Sequence, residues 1–360
     1  MPIYNEIAQA DEPTVITRDG KTLYTTPPKI NKGVWTALGE EIVSLERQCV
    51  NAPHDQVITL RLDITCMSTL KKHLMNMGIF TQGWSDEFAR IMQETAQSLA
   101  TKYNARWAYT QSDEITLIIV PTRTETGEFN PRYEHPRAGK LQKLVSLAAA
   151  HASAIATAAL QRLRLDRIGL YSTAVVEGCE RHEELDTSRW WPTHLWNNAR
   201  ELWQRGFRPH KTVAQAVAIQ LANVLSTPIT IEFDCRMAVW TSEREAFKLI
   251  LWRAYDCGVN GVSDACHNQK GRPVMRKTGV THNTLIGLST WSKLKWLEQV
   301  GLLPLPDHQA HGTLYRRVAR KREAFNPKTS ENVTVMRNVL ERVPGSVINL
   351  VKSGEISFPE

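Results

Sequence analysis

Three acidic residues have the type and spacing to do chemistry. Asp63 lies in the run VITLRLDIT, and Asp113 and Glu114 lie in QSDE, a short segment between two apolar runs, RWAYT and ITLIIVP. Magnesium takes oxygen ligands in octahedral geometry and is usually held by one or two carboxylates together with substrate phosphates. Two such ions about 3.5–4 Å apart activate an attacking hydroxyl and stabilise a leaving pyrophosphate. Asp63 and Asp113 suit the bridging role, and Glu114 is close enough to hold one ion or orient its water. Without cations, three clustered carboxylates repel one another and at least one takes a proton. The competing reading is a turn that merely favours Ser and Asp, with Asp63 capping a strand.

Some fifty residues separate the first acid from the other two, so the fold must bring them together. Ile58, Leu60, Leu62 and Ile64 alternate with Thr59, Arg61 and Asp63, which predicts a strand with Asp63 opposite the leucines. SDEFARIMQETAQSLATKY has apolar residues at helical spacing, with Ser85 as cap and Asp86 and Glu87 at the positive end. RWAYT and ITLIIVP then form a hairpin with its acids in the turn. A helix follows from near Gly139 to about Leu163, and PITIEFDCRMAVW alternates as a further strand. Strand, helix, strand, strand, helix, strand is the order of the ferredoxin-like βαββαβ unit, an α+β fold. Its first and third strands are central neighbours, which would carry the three acids to one edge of a sheet.

The rest of the chain divides around that unit. Residues 1–55 read as a polar arm and a helix near 36–49. Residues 56–240 hold the catalytic unit, interrupted by a Trp-rich insertion over 164–227 that contains Trp190, Trp191, Trp196 and Trp203. Those indoles either stack on bases or pack internally. Residues 241–325 form a helical region, opened by a Ser242–Glu245 capping box and carrying a helix from about Thr290 to Val300 that stops at Gly301. Residues 326–360 read as a tail with few structural signals.

Charge and composition narrow the partners. A formal net charge of +7 favours a polyanion, RNA or DNA first, over a merely basic soluble protein. The six cysteines form no CxxC pair, which suggests reduced thiols and a cytoplasmic location. No signal peptide is read at the start, and the Ala-rich stretch Leu144–Leu160 reads as a buried helix rather than a membrane span. There is no GxxxxGK[ST] loop, no GxGxxG and no GxSxG. Lys140 and Lys143, in GKLQK, would offer cations at a helix start to a triphosphate, or form a solvated basic turn. Arg253, Asp256 and Asn260 share one helix face, as an internal ion pair with an amide or as a nucleotide contact. Arg316, Arg317, Arg320, Lys321 and Arg322 form a basic run that suits RNA phosphates or a solvated segment.

From about Gly39 to Arg317, leaving out the insertion, the motifs resemble the tRNA(His) guanylyltransferase family and its relatives, the 3′-to-5′ RNA polymerases that repair tRNA 5′ ends. RLD at 61–63 resembles the first metal motif of that family, and YTQSDEITLI at 109–118 is close to its second. KLVSL at 143–147, FDCR at 233–236, WRAYDCGVNG at 252–261 and HGTLYRR at 311–317 are similar to its later motifs. The resemblance implies a polymerase-type palm, two Mg2+ ions, and ATP, GTP or other nucleoside triphosphates as substrates, with nucleotide addition at the 5′ end of tRNA or a similar RNA. It also implies Asp63, Asp113, Glu114 and the Ile64 carbonyl as metal ligands. Ser112, Lys140, Lys143, Arg253, Asp256 and Asn260 would bind nucleotide. Tetramers are common in the family, so a homo-oligomer is implied, and no membrane partner is.

The sequence departs from the family pattern in places. Ile64 replaces the usual Gly after the first metal aspartate, Gly83-Trp84 replaces Lys-Pro, and Leu288 stands where a lysine is often found. Gly258-Val259-Asn260-Gly261 replaces HINN, which fits template-dependent addition better than dedicated guanylate addition to tRNA(His). Two other readings stand beside this one: a palm-fold nucleotide cyclase or dinucleotide synthase, although GGEEF is missing, and a non-catalytic RNA-binding protein on a palm scaffold.

Overall fold

The computed structural model describes residues 5, 9 and 14–358, apart from 19, 28, 49–50, 78, 81–84, 125–127, 182–227, 270–272 and 327–329. Two short strands, β1 (Val15–Arg18) and β2 (Lys21–Thr25), pair as a separate hairpin before helix α1 (Lys32–Gln48). Strand β3 (Val57–Ile64) is followed by α2 (Met67–Asn76) and α3 (Asp86–Lys102), then by the hairpin β4 (Trp107–Gln111) and β5 (Glu114–Ile119). Next come α4 (Leu141–Arg181), β6 (Phe233–Trp240) and α5 (Glu243–His267). Four short helices follow: α6 (Pro273–Thr278), α7 (His282–Gly287), α8 (Thr290–Gln299) and α9 (Asp307–Ala310). The chain closes with β7 (Thr313–Asn326), β8 (Glu331–Val343) and α10 (Val347–Lys352).

Six strands make one sheet in the order β6-β3-β5-β4-β7-β8, with antiparallel neighbours throughout. The protein is thus a mixed helix-and-sheet fold in which β3 and β5 are central neighbours. Both faces of the sheet are covered. On one, Ile58, Leu60 and Leu62 pack with Phe88, Met92 and Leu99 of α3 and with Leu144, Ala148, Ala152 and Ala156 of α4. Those α4 residues are four apart, so they form one stripe, and the alanines let the helix lie close to the strands. By length and composition α4 could cross a membrane, but this stripe is buried against the sheet. On the other face, Trp107, Tyr109, Ile118 and Trp240 pack with Leu38 and Ile42 of α1 and with Phe247 and Leu251 of α5. Burying each such large side chain contributes about 1.5–3 kcal/mol.

The helix caps follow the sequence. Ser85 accepts from the Phe88 N–H at 3.1 Å and Ser242 from the Glu245 N–H at 3.2 Å. α8 ends one residue short of the expected Val300, and Gly301 takes the left-handed conformation, φ +73°, that stops it.

The polar positions of β3 are buried as well: Thr59 is 1% exposed and Arg61 6%, because α1 and α5 cover that face. Three expectations are corrected. The region 241–325, expected to be helical, ends in strand β7 from Thr313. The helix expected to end near Leu163 runs on to Arg181, into the stretch assigned to the insertion. Trp190, Trp191, Trp196 and Trp203 lie outside the described residues. Finally, residues 326–360 are not a featureless tail, since β8 pairs along β7 from Leu314–Val343 to Asn326–Glu331 and α10 packs in the core beside Trp107.

Close packing fixes the far half of α5. A Cβ on Gly261 would stand 1.9 Å from the Gln309 carbonyl oxygen of α9, a backbone atom with little room to move. Gly261→Ala is expected to destabilise the fold by about 1–3 kcal/mol, as overpacking does. An unchanged denaturant midpoint would contradict this contact.

Candidate active site

The sheet register brings the acids together. Asp63 is paired across β3–β5 with Glu114 and across β3–β6 with Asp234. Directly opposed residues on antiparallel strands have Cα atoms about 4.5–5.5 Å apart. Asp113 joins them through the backbone, its carbonyl accepting the Ile64 N–H at 3.2 Å. Ser112 turns β4 into β5 in a left-handed conformation, φ 47°, which costs a non-glycine residue about 1–2 kcal/mol. Burial pushes the Asp63 carboxyl up to about 6, and the charges of Asp113, Glu114 and Asp234 add to that shift.

Asp234 is the acid that sequence reasoning missed, although FDCR was noted as a motif. One of its oxygens lies 3.3 Å from Arg236 Nη2, and the other is buried with no hydrogen-bond partner among the described residues.

The side chains diverge where the backbones meet. Glu114 forms a close ion pair with Arg253 Nε, lies 3.9 Å from Arg61 Nη1 and accepts from Gln111 Nε2 at 3.2 Å. Burial pushes the Glu114 carboxyl up, and the two guanidinium groups oppose that shift. Arg61 donates two hydrogen bonds to Glu46 of α1, at 2.9 and 2.7 Å. Arg253 also holds Asp256 at 2.8 Å. An alternating chain, Glu46–Arg61–Glu114–Arg253–Asp256, thus crosses from α1 to α5. The Trp252 ring lies beside both guanidinium groups, 5.8 Å from that of Arg61 and 4.9 Å from that of Arg253, within reach of cation–π attraction. Glu46 and Arg61 were not singled out from the sequence.

Among the described residues no three Asp, Glu, His or Cys side chains form a ready-made metal cage. The expected triple convergence is therefore corrected to a convergence of backbones, with Glu114 turned to its arginines. The remaining donors still suit magnesium, which needs only one or two carboxylates when phosphates complete its shell. Asp63, crowded by like charges, and the orphaned Asp234 oxygen both call for a cation.

The other expected nucleotide residues divide. Arg253 and Asp256 stand beside Glu114, whereas Asn260, one turn further along α5, is exposed. Lys140 and Lys143 are not brought to the acids. The Ala52 N–H donates to the Gly139 carbonyl at 3.0 Å, so α4 begins near the start of β3. Further along α4, Ser153 and Thr157 accept from the N–H groups of Phe233 and Ile231, where β6 begins. The two lysines therefore lie at the opposite end of β3 from Asp63, roughly 20 Å away at ~3.3 Å per residue.

The basic run is on β7. Arg317 donates to the Ala105 and Ala100 carbonyls at 3.0 and 2.8 Å, and Arg320 holds Glu341 through two 2.7 Å hydrogen bonds. Arg316 lies over the Trp107 ring at 4.9 Å. Lys321 and Arg322 continue outward on the exposed part of the strand.

Comparison with known proteins agrees with the motifs. The family model described as "Thg1: tRNAHis guanylyltransferase" matches residues 40–174. A bacterial Thg1-like protein in complex with ATP has 16% identity, covers 84% of this chain and 91% of its own, and superposes with a TM-score of 0.44. The tRNA(His) guanylyltransferase from Saccharomyces cerevisiae has 15% identity, covers 81% and 93%, and gives a TM-score of 0.45. A bacterial Thg1-like protein in complex with GTP, also at 15% identity, covers 79% and 86% with a TM-score of 0.41. No curated protein matches the chain in sequence. Over residues 40–174, the stretch that holds β3, the acidic β4–β5 turn and the start of α4, the chain carries the sequence signature of the tRNA(His) guanylyltransferase family.

Proposed function

We propose that the protein is a magnesium-dependent nucleotidyltransferase that adds nucleotides to the 5′ end of tRNA or a tRNA-like RNA, in the 3′-to-5′ direction. The observation that carries this reading is the meeting of Asp63 with Glu114 and Asp234 in register, and with Asp113 beside them. The sheet order β6-β3-β5-β4 supports it, since a ferredoxin-like βαββαβ unit would have its first and third strands as central neighbours.

In this reading Asp63 and Asp113 hold magnesium together with triphosphate oxygens, and the Ile64 carbonyl adds a ligand. Bound magnesium supplies Lewis-acid stabilisation of attacking and leaving oxygens. Arg253 and Arg61 hold Glu114 in one orientation and set positive charge beside the place where phosphates gather. The RNA 5′-monophosphate attacks the α-phosphate of ATP and pyrophosphate leaves; the 3′-hydroxyl of an incoming nucleoside triphosphate then attacks the RNA 5′-phosphorus and displaces AMP. Free Cys66, Cys235, Cys257 and Cys266 fit a cytoplasmic enzyme.

The direct test supplies 5′-truncated tRNAs and each nucleoside triphosphate in turn, with an arm that omits RNA. Label appearing at the RNA 5′ end is the expected result. A cyclic or dinucleotide product in the RNA-free arm would support a cyclase or synthase instead. RNA binding without any product would support a non-catalytic palm protein.

A further inference from the structure

The end of the sheet opposite the acids holds a cleft of about 580 Å³, whose lining includes Arg106, Arg123, Arg316, Arg317 and Glu243. Arg317 is turned to the Ala100 and Ala105 carbonyls and Arg123 lies over the Phe129 ring, but the cleft still holds one carboxylate among its arginines, and that carboxylate is engaged. Glu243 accepts from Trp107 Nε1 at 2.5 Å and lies 3.7 Å from Arg106 Nε. Arg316 Nε is buried with no hydrogen-bond partner among the described residues. A buried donor left unsatisfied in a cationic cleft has the chemistry of an anion site.

The walls indicate which anion. Val120, Pro121 and Val318 are apolar, and the indole of Trp107 is 1% exposed and lies under Arg316. Among the described residues that line the cleft none is aromatic, so it suits phosphate rather than a nucleobase. The positive charge also continues outward. β7 pairs with β4 only over Thr313–Arg316 but with β8 as far as Asn326, so the remainder of β7 and β8 forms a two-stranded ribbon beyond the sheet. On it Arg320 stands directly opposite Arg337. Like charges so placed are unfavourable, although Glu341 offsets part of the repulsion. A continuous row of phosphates answers both the cleft and the ribbon, whereas a single small anion answers only the first.

We propose that this cleft grips the phosphodiester backbone of duplex RNA whose 5′ end lies at the acids; the proposal rests on the 5′-end reading above. From Glu114 to Val120 the chain spans about 20 Å. The gripped phosphates therefore lie roughly 20 Å from the reacting end, further than a stem of about four base pairs reaches.

The test uses the full chain with two 5′-monophosphorylated hairpin RNAs, one of about twelve base pairs and one of about four, across a salt series. Arg106→Gln and Arg316→Gln are each expected to weaken binding of the long hairpin about tenfold at low salt. Each should also lower the slope of log affinity against log salt by about 1. Binding of the short hairpin should be unaffected. Arg106 is half-exposed, so its variant reports even where Arg316→Gln disturbs the packing on Trp107. Unchanged slope and affinity in a protein that still extends RNA would overturn the cleft alone. A wild-type protein that neither binds nor extends RNA would overturn the functional reading with it.

Discussion

Asp113→Ala and Asp63→Ala are each expected to reduce nucleotide transfer by at least about 10²–10³, the scale at which preorganised electrostatic groups act. RNA affinity should stay near that of the wild type, because the basic cleft and ribbon lie at the other end of the sheet. The two substitutions differ in their effect on the fold. Burial and three neighbouring acids raise the Asp63 carboxyl to about 6, so its charge opposes folding at neutral pH. A raised carboxyl binds its proton more tightly in the folded state. That stabilisation is fully present below the unfolded value, about 4, and is lost as pH rises towards 6. Asp63→Asn should therefore melt higher than the wild type at pH 7 without divalent cations, by roughly 1 kcal/mol once solvent screening is discounted. The difference should vanish near pH 4. Magnesium should raise the melting temperature of the wild type and leave that of Asp63→Asn unmoved. An active Asp113→Ala enzyme, or an Asp63→Asn protein that melts lower at pH 7, would contradict the assignment.

Arg253→Ala should damage both stability and turnover. Its removal leaves Glu114, with a side chain 13% exposed, facing only the more distant Arg61 and Gln111, and leaves Asp256 without its 2.8 Å partner. Stranding one member of a buried ion pair costs about 3–5 kcal/mol. Adding Glu114→Gln removes the stranded charge, so the double variant should recover much of the lost stability while transfer stays low. A double-mutant cycle by denaturant unfolding reads this coupling. If the two changes simply add, the pair does not carry the energy assigned to it.

The meeting of the end of β3 with the β4–β5 turn was legible in the sequence for a clear reason. Alternation in VITLRLDIT fixed which residues of β3 share a face, and the brevity of QSDE fixed a hairpin. Antiparallel pairing did the rest. Arg61 and Glu46 were not legible, because alternation separates polar from apolar positions without telling which polar face will be covered. Only the placement of α1 and α5 over that face makes an internal ion pair of them. Lys140 and Lys143 went astray for a different reason. The helix start was recognised, but the topology that joined the acids also sends β5 away from them, so any helix following β5 begins at the opposite end. The long ribbon was hidden by its charges: Val333 and Val335 alternate, yet exposed arms bury too little for the pattern to stand out.

Arg317 ties the last turn of α3 to β7, and two further links run along the same helix, Gln93 to Thr313 at 3.1 Å and Gln97 to Tyr315 at 3.0 Å. These rungs bolt the strand that carries the ribbon to one rigid rod. With its 17 residues, α3 is about 25 Å long. The rod behaves as a ruler: its length, rather than any hinge, sets the offset between the acidic rim and the root of the ribbon. Adding or deleting one helical turn near its middle would change that offset by about 5.4 Å.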